Sequence, residues 1–458
     1  MRIGELGFWW HDIGGPPAPR RPLQQATRAD VAIAGAGFTG LWTAYYLKQA
    51  DPSLRVVVLE AEQAGFGASG RNGGWLSGFF SGPPRAYERG RTPGAYAALQ
   101  RAMFQTVDEV AGVLARHRID AELVKSGVLT VARDQAQLTR LREHIAAAYA
   151  TGLGEQDLRE LGAEELARRV SVAGVRGASF SPHVARVHPA KLLVGLAGAV
   201  EQLGVEIYER TPVLAIEPGE ARTHRAAVRA RWVVRATEGY TASLQGQRRA
   251  LVPMNSSMIV TEPLPEEVWG QIGWEGQELL GDNAHVYAYL QRTADGRIAI
   301  GGRGAPYRYG SRTDGRGDTA LSTVASLRAQ LAAMFPPAAG ARIDHAWSGV
   351  LGVPRDWCVS VAADRASGLA RAGGYVGEGV AASNLAARIL CEEILDRPSE
   401  LRSLAWVGRS PRRWEPEPVR WSEIQAVYWL YRRADAAERR GGRPSRVGTL
   451  VDGLSGRE

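Results

Sequence analysis

The hydrophobic pattern is clearest near the start of the chain. An apolar run from Val31 to Ala34 leads into a glycine-rich turn, and a run of helical character follows from Leu41 to Gln49. A second apolar run, 55–59, ends at Glu60. This order predicts a strand, a helix and a second strand parallel to the first, because a helical crossover returns the chain to the same edge of a sheet.

Later segments show the same two periodicities. Apolar residues at helical spacing predict helices over 94–118, 134–150, 163–170, 189–203, 317–335 and 380–395. Apolar or alternating runs predict strands over 123–131, 205–209, 212–216, 231–235, 250–262, 285–303 and 345–350. We expect residues 1–28 to form an extended, Pro-rich arm anchored by Phe8, Trp9 and Trp10, and residues 400–458 to be mostly helical and charged.

The first glycine-rich turn has the spacing of a dinucleotide-binding site. Gly35 allows a tight turn, Gly37 lets a pyrophosphate approach the backbone, and Gly40 lets the helix pack closely on the strand. The helix N-terminus offers N–H groups to phosphates. Glu60, at the end of the second strand, can accept hydrogen bonds from an adenosine ribose, and its charge disfavours the 2′-phosphate of NADP.

A second glycine-rich turn, 373–379, precedes the helix predicted over 380–395 and lies far from the first in sequence. If both turns face one ligand, the cofactor domain is discontinuous and the middle of the chain supplies a separate sheet. An NAD dehydrogenase would not need the distal turn, whereas a flavin enzyme would. We therefore predict an α/β protein in which a discontinuous Rossmann-like domain accompanies an antiparallel-sheet substrate domain.

Composition narrows the class of protein. A length of 458 residues predicts two or three domains, and no run of eighteen apolar residues or signal-like N-terminus is present. Two isolated cysteines, Cys358 and Cys391, indicate a reducing compartment, and we expect a cytoplasmic protein. The net charge of +8 comes from scattered arginines without a nucleic-acid-binding motif, so no nucleic-acid partner is expected. We also expect no membrane span and no metal.

Three ordered motifs resemble the D-amino-acid oxidase superfamily of FAD enzymes, most closely the branch with glycine oxidase, sarcosine oxidase and gamma-glutamylputrescine oxidase. They are GAGFTGL (35–41), VLEAEQAGFGASGRNGG (58–74) and GGYVGEGVAASNLAAR (373–388). RWVVRATEGYT (231–241) and YLQRTADGRIAIGG (289–302) are weaker matches. The resemblance covers about residues 8–450 and implies bound FAD, held without a covalent link unless Cys358 provides one.

The resemblance also implies which residues hold FAD. From the first two motifs these are Gly35, Gly37, Phe38, Thr39, Gly40, Glu60, Ala61, Ser69, Gly70, Arg71, Asn72, Gly73 and Gly74. Those expected beside the adenosine half and at the flavin's pyrimidine end are Val213, Ala236, Thr237, Gly377, Glu378, Gly379 and Val380.

The domain division expected from the resemblance alternates between the two units. The FAD-binding domain takes residues 29–92, 184–246 and 345–398, and the substrate domain takes 93–183 and 247–344. The arm, 1–28, and a C-terminal helical extension, 399–458, complete the chain.

The implied reaction is oxidation of an amine or amino-acid C–N bond. Hydride passes to flavin N5, the imine hydrolyses to a carbonyl, and O2 accepts the electrons to give H2O2. A dehydrogenase with another electron acceptor, and a non-catalytic dinucleotide-binding protein, remain alternatives. The dehydrogenase is favoured by two departures from the family: Glu378 stands where several relatives have His, and the strand 296–302 lacks the lysine that some amine oxidases hold over the flavin.

Four residues are candidates for substrate contact. Trp75 follows the glycines expected at the flavin edge, and Tyr287 and Tyr289 share one strand-like segment. Arg303, after Gly301 and Gly302, could clamp a carboxylate in a bidentate fork. Asn255 and Ser256 are weaker candidates.

Overall fold

The computed structural model describes residues 1–451 except 5, 303–306, 314, 442–443, 446 and 449–450. Its helices are α1 (Phe8–Asp12), α2 (Phe38–Ala50), α3 (Pro84–Glu88), α4 (Ala95–His117), α5 (Gln135–Ala150), α6 (Ala163–Ala167), α7 (Pro189–Gln202), α8 (Glu266–Ile272), α9 (Leu321–Met334), α10 (Gly379–Leu395) and α11 (Val419–Gly441). Short 3-10 turns occur at Ala68–Gly70, Glu238–Ser243, Tyr309–Ser311, Pro336–Ala338 and Glu400–Ser403.

The strands of the first half are β1 (Arg2–Ile3), β2 (Thr27–Ala34), β3 (Val56–Leu59), β4 (Trp75–Ser77), β5 (Val128–Ala132), β6 (Arg159–Leu161), β7 (Gly177–Ser181), β8 (Val184–Arg186) and β9 (Glu206–Tyr208). Those of the second half are β10 (Val213–Glu217), β11 (Glu220–Thr223), β12 (Ala227–Arg235), β13 (Val252–Thr261), β14 (Leu279–Asp282), β15 (Tyr289–Arg292), β16 (Ile298–Gly302), β17 (Ile343–Val353), β18 (Ser360–Asp364) and β19 (Leu369–Gly373).

The strands form two large sheets. One has a parallel centre, β19–β12–β2–β3–β9, to which β18, β11 and β10 add antiparallel strands. The other runs β1–β17–β13–β16–β15–β14–β5–β7–β6 and is antiparallel except at β1–β17 and β14–β5. This confirms the predicted combination of a Rossmann-like unit assembled from distant segments and an antiparallel sheet.

The register of the parallel sheet brings distant segments together. Ala34 pairs with Leu59 and with Arg235, and Arg235 also pairs with Arg371. The strands β2, β3, β12 and β19 therefore end in line at one edge, and both glycine-rich turns leave from it. Ligands of open α/β sheets bind at this carboxyl edge, so the fold itself sets the position of the candidate site.

The N-terminal segment differs from the expected extended arm. Residues 8–12 form α1, residues 2–3 form β1 against β17, and Thr27 and Arg28 already belong to β2. Trp9 and Trp10 are each about 1% exposed. Their burial favours a helix because both rings pack into the core behind the loop 68–74, and extended backbone would turn one of them to solvent.

Strand β17 crosses the boundary expected at residue 345. It pairs with β13 from Val252 to Thr261, so residues up to Val353 belong to the antiparallel sheet. Helix α4, expected in the substrate domain, packs its buried face into the same hydrophobic core as α2 and α10. The described helices include none that combines the length and apolar character needed to cross a bilayer.

Candidate active site

A cavity of about 350 Å³ lies at the carboxyl edge of the parallel sheet. Its wall includes many of the residues predicted to bind the cofactor: Gly35, Gly37, Phe38, Thr39, Glu60, Ala61, Ser69, Asn72, Val213, Ala236, Thr237, Gly377, Gly379 and Val380. The structure therefore brings both glycine-rich turns to one cavity, as a single extended dinucleotide would require.

The first turn has the geometry of a phosphate cradle. Gly35 has φ +107°, and a Cβ there would lie 2.5 Å from the Ala236 carbonyl oxygen. Gly37 precedes α2, and the Phe38 N–H at the helix start donates to Ser69 Oγ at 2.9 Å. A helix N-terminus with glycine backbone on the cavity wall suits a pyrophosphate.

Glu60 is positioned for hydrogen bonds to a ribose. Its carboxylate accepts from the N–H groups of Ala36, at 2.8 Å, and Glu62, at 3.1 Å. Burial raises its pKa from 4.5 to about 7, although the two backbone N–H groups oppose the shift. Hydroxyl donors from a ligand would favour the ionised form.

A second acid at the cavity, the half-buried Glu238, was not predicted from the sequence. Its carboxylate accepts from the N–H groups of Gly374 at 3.0 Å and Tyr375 at 3.2 Å, and burial raises its pKa to about 7. A Cβ at Gly373 would lie 2.5 Å from Glu238 Oε2. Glu238 thus links the end of β12 to the second glycine-rich turn, and its position just after a predicted strand, like that of Glu60, was the available signal.

Three tryptophans support the loop 68–74. Trp9 Nε1 donates to the Asn72 carbonyl at 2.7 Å, and Trp347 Nε1 donates to the Arg71 carbonyl at 2.9 Å. A Cβ at Gly70 would lie 2.5 Å from Trp10 Nε1. Indole rings that lie far from the loop in sequence therefore hold its backbone in place.

Arg71, a residue of this loop, has a buried side chain. Its Nη2 donates to the Gly315 carbonyl at 2.8 Å, and its guanidinium carbon lies 4.5 Å from the centre of the Phe66 ring. Both Gly315 and Phe66 line the larger cavity. Arg71 thus contacts two residues of the larger cavity's wall while it lines the smaller cavity itself.

A smaller cavity of about 80 Å³ adjoins the first, and the two share Ala68, Asn72, Leu351, Gly377 and Val380. Trp75, Tyr287 and Tyr289 line it, together with Glu378, Arg71 and Gly73. Three of the four predicted substrate-contact residues therefore meet in one place. Ser256, the hydroxyl of which lies 2.9 Å from Tyr289 Oη, also lines this cavity.

Several predicted residues lie elsewhere. Gly40, Gly70 and Gly74 do not line either cavity: a Cβ at Gly40 would lie 1.9 Å from the Gly35 carbonyl, and one at Gly74 would meet Gln291 and Val187. These glycines permit close packing instead of touching the ligand. Arg303 lies outside the described residues.

Cys358 is buried away from both cavities, where its thiol donates to the Asp356 carbonyl and burial raises its pKa to about 12. Its position does not favour a covalent flavin link.

Comparison with known proteins agrees with this geometry. A family model described as FAD dependent oxidoreductase matches residues 30–393. The chain is 30% identical over 387 residues to the probable oxidoreductase OrdL of Haemophilus influenzae, covering 82% of this chain and 84% of that protein. It is 29% identical over 382 residues to gamma-glutamylputrescine oxidoreductase of Escherichia coli, covering 82% and 85%.

Solved structures show the same fold. Glycine oxidase from Geobacillus kaustophilus superposes with a TM-score of 0.69 at 20% identity, covering 84% of this chain and all of that one. L-Proline dehydrogenase from P. horikoshii gives a TM-score of 0.66 at 18% identity, covering 82% and 96%.

Proposed function

This chain belongs to the family of FAD-dependent oxidoreductases and its cofactor is FAD, and from that premise we propose that it oxidises the C–N bond of an amine or amino acid. The observation that carries the proposal is the junction of the two cavities. The larger one has the glycine turns and the acid suited to a dinucleotide, and the smaller, aromatic one opens from it beside the N-terminus of α10.

The glycine-rich turns at 35–40 and 373–379, with Glu60, would hold FAD, which would supply the two-electron redox chemistry: oxidation of the substrate's C–N bond coupled to reduction of O2 that, with two protons, gives H2O2. The protein's part is orientation and electrostatics. The N-terminus of α10, from Gly379, directs backbone N–H groups toward the wall shared by the two cavities. Trp75, Tyr287 and Tyr289 hold the substrate against that wall, and the resulting imine hydrolyses to a carbonyl compound.

The residues around the smaller cavity suit a substrate that arrives as a neutral amine. His285 lies on the segment before Tyr287, but its Nε2 lies 3.2 Å from Glu438 Oε1 on α11. Glu378 is the carboxylate among the described lining residues. A neutral amine can release hydride without a general base, so we assign that role to neither His285 nor Glu378.

A dehydrogenase that uses another electron acceptor is the second candidate. The chain's three lysines are engaged elsewhere: Lys48 with the Pro52 and Leu54 carbonyls, Lys125 with Asp108, and Lys191 with Glu122. No lysine cation therefore stands beside the site to assist reaction with oxygen. Cytoplasmic action fits the two buried free thiols, Cys358 and Cys391.

The test is anaerobic mixing of the FAD-loaded protein with a panel of primary, secondary and cyclic amines and amino acids. We expect at least one compound to bleach the oxidised-flavin absorbance and to yield one carbonyl product per flavin reduced. A yellow protein that no member of the panel reduces would favour the non-catalytic alternative.

A further inference from the structure

A third cavity, of about 300 Å³, lies beside the ends of β12 and β19. We call it the arginine cavity and define it by Arg235, Arg371, Arg413, Gln247 and Ser410, which line it. Among the described residues, Leu244 is the one that lines both this cavity and the larger cavity of the active site. The arginine cavity is therefore a neighbour of the cofactor site and not a part of it.

The register of the parallel sheet places two of the arginines side by side. Arg235, the last residue of β12, is the Cα partner of Arg371 on β19, so both side chains leave the sheet on the same face. Burial, and after it the positive charge of Arg371, lowers the pKa of Arg235 to about 10. Burial also lowers the pKa of Arg371. The two guanidinium groups therefore repel each other where water screens them only in part.

The hydrogen bonds of these two side chains go to neutral oxygen atoms. Arg235 Nη1 donates to Gln247 Oε1 at 2.6 Å, and Arg371 Nη2 donates to the Arg409 carbonyl at 3.0 Å. A guanidinium has more N–H donors than these bonds use, so both groups keep donors for a ligand. Arg413, which is exposed, adds a third guanidinium to the wall.

The positive charge of the cavity is not balanced by acids on its wall. The described residues that line it include no aspartate or glutamate. The acid whose charge acts on Arg235 is Glu238, which lines the larger cavity and accepts from the N–H groups of Gly374 and Tyr375. Burial raises the pKa of Glu238 to about 7, so it is only partly ionised at neutral pH. An excess of positive charge therefore stays with the three arginines.

The geometry points to an anion site: the arginine cavity binds a compact anion with two or more negative charges, a phosphate ester or a di- or tricarboxylate, apart from both the cofactor and the substrate. Each guanidinium can grip an oxyanion with two parallel hydrogen bonds. An anion between Arg235 and Arg371 also replaces their mutual repulsion by attraction to a shared partner. The ligand takes no part in oxidation of the C–N bond, so this site does not depend on the proposed function.

Titration of the FAD-loaded protein with pyrophosphate and with citrate, at constant ionic strength, tests the site by calorimetry. Bound FAD fills the glycine turn at Gly37, so pyrophosphate cannot bind there instead. We expect one anion per protein and binding at least about tenfold tighter than that of acetate, which has a single charge. Tighter binding of pyrophosphate would identify the ligand as a phosphate ester, and tighter binding of citrate would identify it as a carboxylate.

Arg371→Gln and Arg413→Gln should each weaken binding about tenfold, because each removes charge-assisted hydrogen bonds. Arg371→Lys should recover little of the loss, since an ammonium group cannot reproduce the fork. The matched control is Arg229→Gln, which removes one positive charge from an exposed position on β12, where Arg229 pairs with Glu220 outside the cavity. Its affinity for the anion should equal that of the parent.

FAD content and thermal unfolding, measured for every variant, separate a lost site from a lost fold, and the exposed Arg413 can be replaced without disturbing the core. The proposal would be overturned if neither anion showed saturable binding. Equal affinity in the parent, Arg371→Gln and Arg413→Gln would also overturn it, because the anion would then lie elsewhere. A loss of affinity in Arg229→Gln as large as in Arg371→Gln would contradict it as well, since net charge alone would then explain the effect.

Discussion

At the scale of single residues, the glycines of one motif have separate duties. A Cβ at Gly40 would lie 1.9 Å from the backbone oxygen of Gly35, which cannot move without shifting β2 or α2. A Cβ at Gly37 would meet only the Ser69 hydroxyl, at 2.9 Å, and Gly37 lines the larger cavity. Gly40 is therefore required by the fold and Gly37 by the ligand.

Gly37→Val should give a folded protein that lacks FAD. The added methyl groups occupy the space where the pyrophosphate approaches the backbone, and we expect a loss of about 3 kcal/mol, roughly a hundredfold in FAD affinity. Gly112→Val, on α4 where a Cβ would meet nothing within 4 Å, is the control and should stay yellow. Gly40→Ala should instead yield little folded protein. Full FAD occupancy in Gly37→Val would show that this turn does not face the cofactor.

The Glu60 carboxyl predicts a pH dependence of FAD binding. Its folded-state pKa of about 7 lies above the ordinary 4.5 because burial disfavours the charged carboxylate. The neutral carboxyl therefore contributes stability to the apoprotein that is fully present below pH 4.5 and is lost as the pH rises through 7. Bound FAD would favour the ionised Glu60 carboxylate instead, because the ribose hydroxyls donate hydrogen bonds to it. The affinity of apoprotein for FAD should therefore rise from pH 5.5 to 7.5 and level off above.

Glu60→Gln should flatten that profile and weaken binding at pH 8 by about tenfold, the equivalent of one hydrogen bond to a charged group. Fluorescence titration of apoprotein with FAD across the pH range is the measurement. Glu262→Gln, which alters a partly exposed ion pair with Arg342, should keep the parental slope. A rise with pH that persists unchanged in Glu60→Gln would assign it to another group.

At the scale of elements, α11 forms part of the support of the smaller cavity. Ile424 and Tyr428 pack in one cluster with Met254 and Val376, and Val376 lines that cavity. Further along, Asp435 accepts from the N–H groups of His285 at 2.9 Å and Val286 at 3.1 Å, directly before Tyr287. The C-terminal helix therefore holds the segment that presents Tyr287.

Asp435→Ala should release this segment and weaken substrate binding. Two hydrogen bonds to a carboxylate are lost, and we expect KM to rise about tenfold while FAD content stays complete and kcat falls little. Glu423→Ala, on the same helix but paired with Arg355, should leave KM unchanged. An unaltered KM in Asp435→Ala would show that the segment 283–288 holds its position without α11.

The sequence predicted the elements better than their contacts. Local periodicity and glycine spacing were sufficient for α2, α4, α7 and α10 and for the edge at which Glu60 lies. They could not show that Trp9, Trp10 and Trp347 meet under the loop 68–74, since packing between distant segments leaves no local pattern. The helical, charged C-terminal segment was predicted, but its contact with His285 depends on the tertiary fold.

At the scale of the whole molecule, charge is distributed in a way that bears on the electron acceptor. The chain carries 56 basic residues, yet its three lysines pair with carbonyls or acids away from both cavities. Arg71, about 2% exposed, is the arginine among the described residues that lines the smaller cavity, beside its junction with the larger one. If oxygen is the acceptor, Arg71 is the described residue best placed to stabilise the negative charge that develops on it.

Stopped-flow mixing of substrate-reduced enzyme with air-saturated buffer tests this. We expect reoxidation within seconds, with one H2O2 formed per flavin. Arg71→Met, which keeps the buried volume but removes the charge, should slow reoxidation by about a hundredfold, because losing a preorganised group that stabilises developing negative charge costs about 3 kcal/mol. Arg71→Lys should recover part of the rate, and FAD content must be equal among the variants compared. Reoxidation of the parent over minutes in air, against seconds with a quinone or dye, would contradict the oxidase and establish the dehydrogenase, because the missing lysine would then have no substitute in Arg71.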